Sequence, residues 1–370
     1  MKTNTMIQAT ATLFLVAYMS FMADAQVIEQ SKSIKKSFKA FPESNVQMTN
    51  KYGNMHIVPT ETDSVRFEIE IKVADKLLEK VNKVINSIDV QFNNSPYYII
   101  AKTVIGDYNN GVWSNITDIA NTVFNGNTKV EINWVVYVPE KNEIKIENKY
   151  GSVYTTNHSG KFNLDLSNGD FQANNLTGDT KLKLAFGSAH LGKLNNATLD
   201  LTYMDFELSK ANKLDLTSKS SEIKLPFVNE MYINSRRDKF VIDTLNSVKG
   251  ETNFSTIKFR KVNKDIMLNV VKYGNLTFDE LAVDLKYLNI TSSYADIYIT
   301  IEKEFSANFD LTYNRKTVLV LPDSINSFPK NITNNETQEY KTTGKIGTEK
   351  QNLTDVKLNI NQGSLTIGIR

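Results

Sequence analysis

The sequence predicts an all-β fold: a right-handed parallel β-solenoid of short two-strand coils, with a small α+β insertion near the N-terminus. Three observations predict it. An aromatic-Gly pair recurs along the chain, at Tyr52-Gly53, Tyr150-Gly151, Phe186-Gly187 and Tyr273-Gly274. Apolar residues keep fixed columns relative to that pair. Within each column set the hydrophobic period is two, the period of a strand with one buried face.

Aligned on the second residue of the pair, corners fall at Gly151, Gly169, Gly187, Met204, Ser221, Asp238, Ser255, Gly274 and Ala295. The step is about 17 to 21 residues, the range of stacked-repeat architectures. Two residues after each corner stand Val153, Phe171, Ala189, Phe206, Ile223, Phe240, Ile257, Leu276 and Ile297. Four residues after stand Thr155, Ala173, Leu191, Leu208, Leu225, Ile242, Phe259, Phe278 and Ile299. A third column, seven residues on, runs from Leu176 through Leu194, Ala211, Val228, Leu245 and Val262 to Leu281. One such unit cannot bury its inner face alone, but a stack can. Nine stacked units would be roughly 40 Å long. Gly at several corners suggests a turn with positive φ, and the preference of parallel crossovers suggests a right-handed wind.

The flanking segments are read in the same terms. Residues 1–25 read as a signal peptide, with Lys2, an apolar run from Ala11 to Met22, and the small-x-small site Ala23-Asp24-Ala25. Residues 26–143 hold a first coil around Gly53 and a capping insertion. In the insertion, Val65, Phe67, Ile69, Ile71 and Val73 alternate as a strand. Leu77, Leu78, Val81, Val84, Ile85 and Ile88 then follow helical spacing. Two more strands are expected over 97–103 and 130–138, around an Asn/Gly-rich connection, 106–127, that carries Trp113. Residues 144–322 are the repeats, ending on a corner near Lys316 with Val318 and Val320 as the inward pair. Residues 323–355 are polar and read as a projecting loop, and 356–370 as the closing coil.

Composition narrows the function. The net charge is +2, which gives no electrostatic reason to expect a nucleic acid or membrane-surface partner. No other stretch is long and apolar enough to span a bilayer. Cys is absent, so packing and hydrogen bonds must supply the stability of an exported chain. The three His, His56, His158 and His190, do not cluster, and no metal or other cofactor is expected. Gly169-Asp170 and Gly178-Asp179 lack the nine-residue period of calcium-binding repeats.

Two surface features could carry function. One is a row formed by the residue before each corner: Tyr150, Phe186, Tyr203, Phe254, Tyr273 and Tyr294, with Asn168, Ser220 and Arg237 between. The simpler reading is a stacked structural corner; the other is an edge that binds sugar rings or an extended peptide. The second feature is outward charge at Asp165, Lys183, Asp200, Asp215 and Lys219, with Glu207 and Lys224 on the other sheet. A pair such as Asp200 and Asp215 would suit glycan cleavage, although solvated surface charge is simpler.

Three segments carry a family resemblance: Asn133-Trp134-Val135-Val136-Tyr137-Val138-Pro139, Glu147-Asn148-Lys149-Tyr150-Gly151-Ser152-Val153 and Asn361-Gln362-Gly363-Ser364-Leu365-Thr366-Ile367. They resemble the adhesin family of exported bacterial β-solenoids, a domain of unknown function related to auto-transporter adhesin heads. The resemblance covers most of residues 40–370. It implies a cell-envelope location and an adhesive role, with no catalytic residues to carry over. The expectation is an exported, non-enzymatic surface that meets a glycan or an envelope protein. The alternatives are a polysaccharide hydrolase or lyase, and a structural or regulatory periplasmic partner.

Overall fold

The computed structural model describes residues 27–106, 128–347 and 353–370. The expected signal peptide and the Trp113 connection lie outside them. Strand makes up 74% and helix 4% of the structure, in one long open sheet.

The repeats pair in parallel, in the register that the columns require. Leu164 sits between Ile146 and Leu182, Phe171 between Val153 and Ala189, and Ile223 between Phe206 and Phe240. Alternation points every second side chain inward, so each column becomes a file of like residues. Every member of the column two after the corner is buried, and so are Leu208, Leu225, Ile242, Phe259 and Phe278 four after. Like side chains stack along the files: Phe259 and Phe278 lie 4.8 Å apart with ring planes at 4°.

Repeat length changes within the array. Asp165 and Lys183, neighbours across a ladder step, are 18 residues apart. From the following repeat the step falls to 17, as for Asn229 and Asn212. The lost residue comes from the turn between Leu194 and Leu199, so the inward columns are undisturbed. This shorter turn carries a file of asparagines that the hydrophobic pattern does not reveal. Asn229, Asn246 and Asn263 each donate their amide to the preceding asparagine, at 3.1, 2.8 and 2.9 Å.

Positive φ falls on the residue before each corner and, among the glycines that follow these residues, only on Gly363. Tyr52, Tyr150, Asn168, Phe186, Tyr203, Ser220, Arg237, Phe254, Tyr273, Tyr294 and Gln362 all have φ between 43° and 65°. The glycines are needed for clearance instead. A Cβ on Gly169 would stand 2.2 Å from the Gly151 carbonyl oxygen, and one on Gly187 would stand 2.1 Å from that of Gly169. The atoms met are backbone of the preceding corner, which cannot yield as a flexible side chain can. Gly169→Ala is therefore expected to lose about 1–3 kcal/mol, measured by urea unfolding; an unchanged midpoint would contradict this reading of the corner.

At the N-terminal end, Ile28–Lys39 pairs antiparallel with Ser64–Asp75, which pairs antiparallel with Lys129–Pro139. The helix spans Leu78–Ser87 and buries Val81, Val84 and Ile85. Leu77 and Leu78, expected on its apolar face, are exposed. A hairpin, Ile88–Asn94 with Tyr98–Ile105, then joins the first repeat strand, Asn45–Lys51, in parallel.

The C-terminal end is threaded out of order. Tyr287–Ile301 pairs with Thr354–Ile369, whose other side pairs with Ala307–Asn314 and Thr317–Val320. The last strand in sequence thus lies between two that precede it, rather than closing the stack. Leu319 pairs with Leu365 and faces inward, whereas Val318 and Val320 are exposed, one position out from the expected corner. Over the stretch expected as a projecting loop, the chain forms a short helix, Asp323–Asn326, and a hairpin, Lys330–Asn334 with Glu339–Ile346. The second hairpin strand pairs antiparallel with Ala307–Asn314 and so covers its open edge.

Candidate functional site: an aromatic edge

Each ring of the aromatic row is placed by the same backbone device. Left-handed φ costs a residue with a side chain about 1–2 kcal/mol, yet aromatic residues occupy most of these positions. The turn throws the side chain off the end of one strand and along the edge of the ladder. All six predicted residues are about half exposed, from 43% at Tyr294 to 53% at Phe186.

The row is not continuous. Tyr150 stacks on Tyr52, with centroids 5.5 Å apart and planes at 9°. Phe186 stacks on Tyr203 at 5.2 Å and 14°. Phe254, Tyr273 and Tyr294 form a third group, at 5.5 and 5.2 Å. Asn168 separates the first two groups, and Ser220 and Arg237 the last two. Arg237 holds its guanidinium 6.0 Å from the Phe254 ring, and Lys51 lies over both Tyr52 and Tyr150. Gln362 donates its amide to the Tyr294 hydroxyl at 3.3 Å. Tyr52, Lys51 and Gln362 extend the edge beyond the residues found from the sequence. The Tyr52-Gly53 repeat was the available signal for the first of them.

Magnitudes show what the rings do for the fold. Burying half of an aromatic side chain stabilises by about 2–3 kcal/mol, which little more than offsets the backbone strain and side-chain ordering. Asn168 shows that the corner accepts a small polar residue. Tyr203→Asn is accordingly expected to change stability by less than about 1 kcal/mol, read by urea unfolding.

Behind the row, polar side chains satisfy the corner backbone. Asn54 Oδ1 accepts from the Ser152 N–H, Ser152 Oγ from the Asp170 N–H, and Asp170 Oδ1 from the Ser188 N–H, at 2.8, 3.0 and 2.9 Å. After the repeat shortens, the direction reverses. Met204 N–H donates to Ser221 Oγ, Ser221 N–H to Asp238 Oδ1, and Asp238 N–H to Ser255 Oγ. Asp238 is buried and accepts three more bonds, from Ser218 Oγ, Ser235 Oγ and the Arg236 N–H, at 2.7 to 2.9 Å.

The outward charges do not converge. Asp165 pairs with Lys183 at 3.2 Å, and this hydrogen bond and charge raise the lysine's pKa, with smaller contributions from Asp200 and Glu147. Asp215 lines a shallow groove of about 610 Å³ together with Lys161, Lys181, Lys213 and Asp179, but Asp200 does not. Among the described residues, no group of three or more His, Asp or Glu could hold a metal. No helix among them is long and apolar enough to cross a membrane.

His158 occupies the column seven after the corner, buried, with Nε2 2.8 Å from the Asn142 carbonyl oxygen and its ring edge-on to Phe162. Burial pushes its pKa below the usual histidine value. A depressed folded pKa means that acid favours the unfolded chain. The stability from neutral His158 is full above about pH 6.5 and is lost as pH falls from there towards the folded value. His158→Leu, the residue usual in that column, is expected to flatten the melting temperature between pH 7 and 5. An equally steep acid limb in the variant would contradict this.

No protein-family model matches the chain, and no curated protein matches it. Three solved structures are similar in part. A proposed cell adhesion protein from Clostridium sporogenes is 10% identical, covering 92% of this chain and all of that one, with a TM-score of 0.18. A proposed adhesin from Bacteroides fragilis is 16% identical over 67% of this chain and 97% of that one, with a TM-score of 0.32. Another, from Parabacteroides distasonis, is 10% identical over 72% and 93%, with a TM-score of 0.33.

Proposed function

We propose that the protein is an exported, non-enzymatic β-solenoid, wound right-handed, whose aromatic edge binds glycan at the cell envelope or on a neighbouring surface. The carrying observation is that edge: six half-exposed rings in one line, held at strained corners that contribute little net stability. Rings of this kind give a ligand apolar contact without further ordering cost. The parallel ladder with its closely spaced repeats supports the wound form, and the export reading rests on the N-terminal sequence. Asp165 is held in an ion pair and Asp215 lines a shallow groove without Asp200, and this dispersal supports a binding rather than a hydrolytic role.

The test is retention on immobilised envelope polysaccharide, with product analysis of the same material. Tyr203→Asn and Tyr273→Asn suit the corner backbone and are expected to leave the fold intact while lowering retention at least several-fold. Retention unchanged in both variants would overturn the binding edge. Release of sugar products that stops in Asp200→Ala or Asp215→Ala would overturn the non-enzymatic reading.

A further inference from the structure

The row has a break at Asn168, and this break has the dimensions of a site. Tyr150 has one face covered by Tyr52, and Phe186 has one face covered by Tyr203. The covered faces are those turned away from Asn168. The ladder places Asn148, Leu166 and Leu184 in successive register, so Tyr150, Asn168 and Phe186 occupy successive steps of the edge, all with the same left-handed φ. Two open aromatic faces therefore look at one another across two strand spacings, about 9.6 Å. The residue between them is short. Its side chain is exposed and makes no hydrogen bond to another described residue.

We infer that this gap is a slot for one neutral hexopyranose unit of a polysaccharide, gripped between the rings of Tyr150 and Phe186 over the amide of Asn168. The inference rests on the aromatic edge being a binding surface and names its occupant. A guest centred in the gap stands about 4.8 Å from each ring, within the range at which aromatic contacts are favourable. A puckered sugar ring carries C–H bonds on both faces, so it meets both rings at once. A flat aromatic guest would fill the same space, as corner rings one step apart do, but would offer the Asn168 amide no hydroxyl partner. The Asn168 amide offers two donors and an acceptor, which match the hydroxyl groups of a sugar rim. Hydrogen bonds at the base and apolar walls on both sides give a sugar both halves of its recognition.

The experiment uses the purified full chain with cellohexaose and maltohexaose, followed by NMR of labelled Tyr, Phe and Asn, with a Tyr-rich hexapeptide as the non-sugar comparison. One of the two oligosaccharides is expected to shift Tyr150, Asn168 and Phe186 signals at millimolar concentration or below. Phe186→Ala should weaken it at least tenfold, and Tyr232→Ala, at an exposed tyrosine outside the row, should leave it unchanged. Asn168→Tyr closes the gap with the residue found at neighbouring corners, so it should keep the melting temperature and abolish binding. Phe186→Ala reads the slot independently if Asn168→Tyr does not fold. Sugar binding that survives either variant, or the peptide shifting these signals while neither sugar does, would overturn the slot. Sugar binding lost in Tyr273→Asn but not in Phe186→Ala would overturn the slot and leave the binding edge standing. No shift with either sugar overturns the slot alone, since the edge is judged by its retention on envelope polysaccharide.

Discussion

Truncation after residue 353 is expected to release the whole C-terminal end of the molecule. Thr354–Ile369 is hydrogen bonded on both sides, to Tyr287–Ile301 and to Ala307–Asn314 with Thr317–Val320. Its removal takes away the buried side chains of Val356, Leu358, Ile360, Leu365 and Ile367. Emptying one buried Leu or Ile position costs about 2–5 kcal/mol, so five together exceed the roughly 5–15 kcal/mol that holds a domain folded. Because repeats contact only their neighbours, the loss should stay local. Hydrogen exchange should become fast from residue 302 to 347 and remain slow over the central repeats, because Tyr287–Ile301 keeps its pairing with Thr256–Lys272 and Gly274–Phe278. Undiminished protection at Ala307–Asn314 in the truncated chain would contradict the threading.

Asp238→Ala is the point substitution with the largest expected effect. Four donors converge on this buried carboxylate: Ser218 Oγ, Ser235 Oγ and the backbone N–H groups of Ser221 and Arg236. Alanine leaves the Ser218 hydroxyl and the two N–H groups without this acceptor, while Ser235 Oγ keeps Ser255 Oγ at 2.7 Å, and each buried orphan costs about 1–3 kcal/mol. Adjacent donors relax together, so the sum overstates the loss, and at least about 3 kcal/mol is expected. Asp238→Asn keeps one carbonyl acceptor and should lose roughly half as much. Urea unfolding measures both. A loss below 1 kcal/mol for alanine would mean that the corner network carries little of the fold.

The inward columns were legible because they repeat in register. Phe206, Ile223 and Phe240 are chemically alike, evenly spaced, and neighbours in space. What a repeat does not encode is the order in which its copies are laid down. Val356, Leu358 and Ile360 announce a repeat strand, but they suit either of two edges, and only the pairing with Tyr287–Ile301 places them. The strand Ile28–Lys39 was hidden because only Ile28, Ile34 and Phe38 pack against the core, among many lysines and serines. Val318 and Val320 misled for the opposite reason, since apolar residues that alternate give a period but not which face is buried.

At the site, sequence columns found the six rings but not their grouping. Whether neighbouring rings stack depends on which corner residues intervene, and Asn168 and Ser220 look like interruptions until the ladder shows what faces them. The corner glycines pointed to a strained turn and were assigned the wrong share of it. The aromatic residue takes the left-handed φ, and glycine takes the close approach of backbone. Polar files such as Asn229, Asn246 and Asn263 escaped a reading organised by hydrophobicity.

All of these inferences need residues one repeat apart to stand side by side along the aromatic edge. The chain contains no Cys, so a pair of introduced thiols reports this without background. Ser220 and Arg237 are consecutive in the row, with φ of 53° and 59°. One strand spacing, about 4.8 Å, lies within disulfide reach, and two, about 9.6 Å, do not. Ser220→Cys with Arg237→Cys is predicted to form an intramolecular disulfide on mild oxidation, while Ser220→Cys with Phe254→Cys stays reduced. A bridge in the second pair, or none in the first, would contradict the stacked edge.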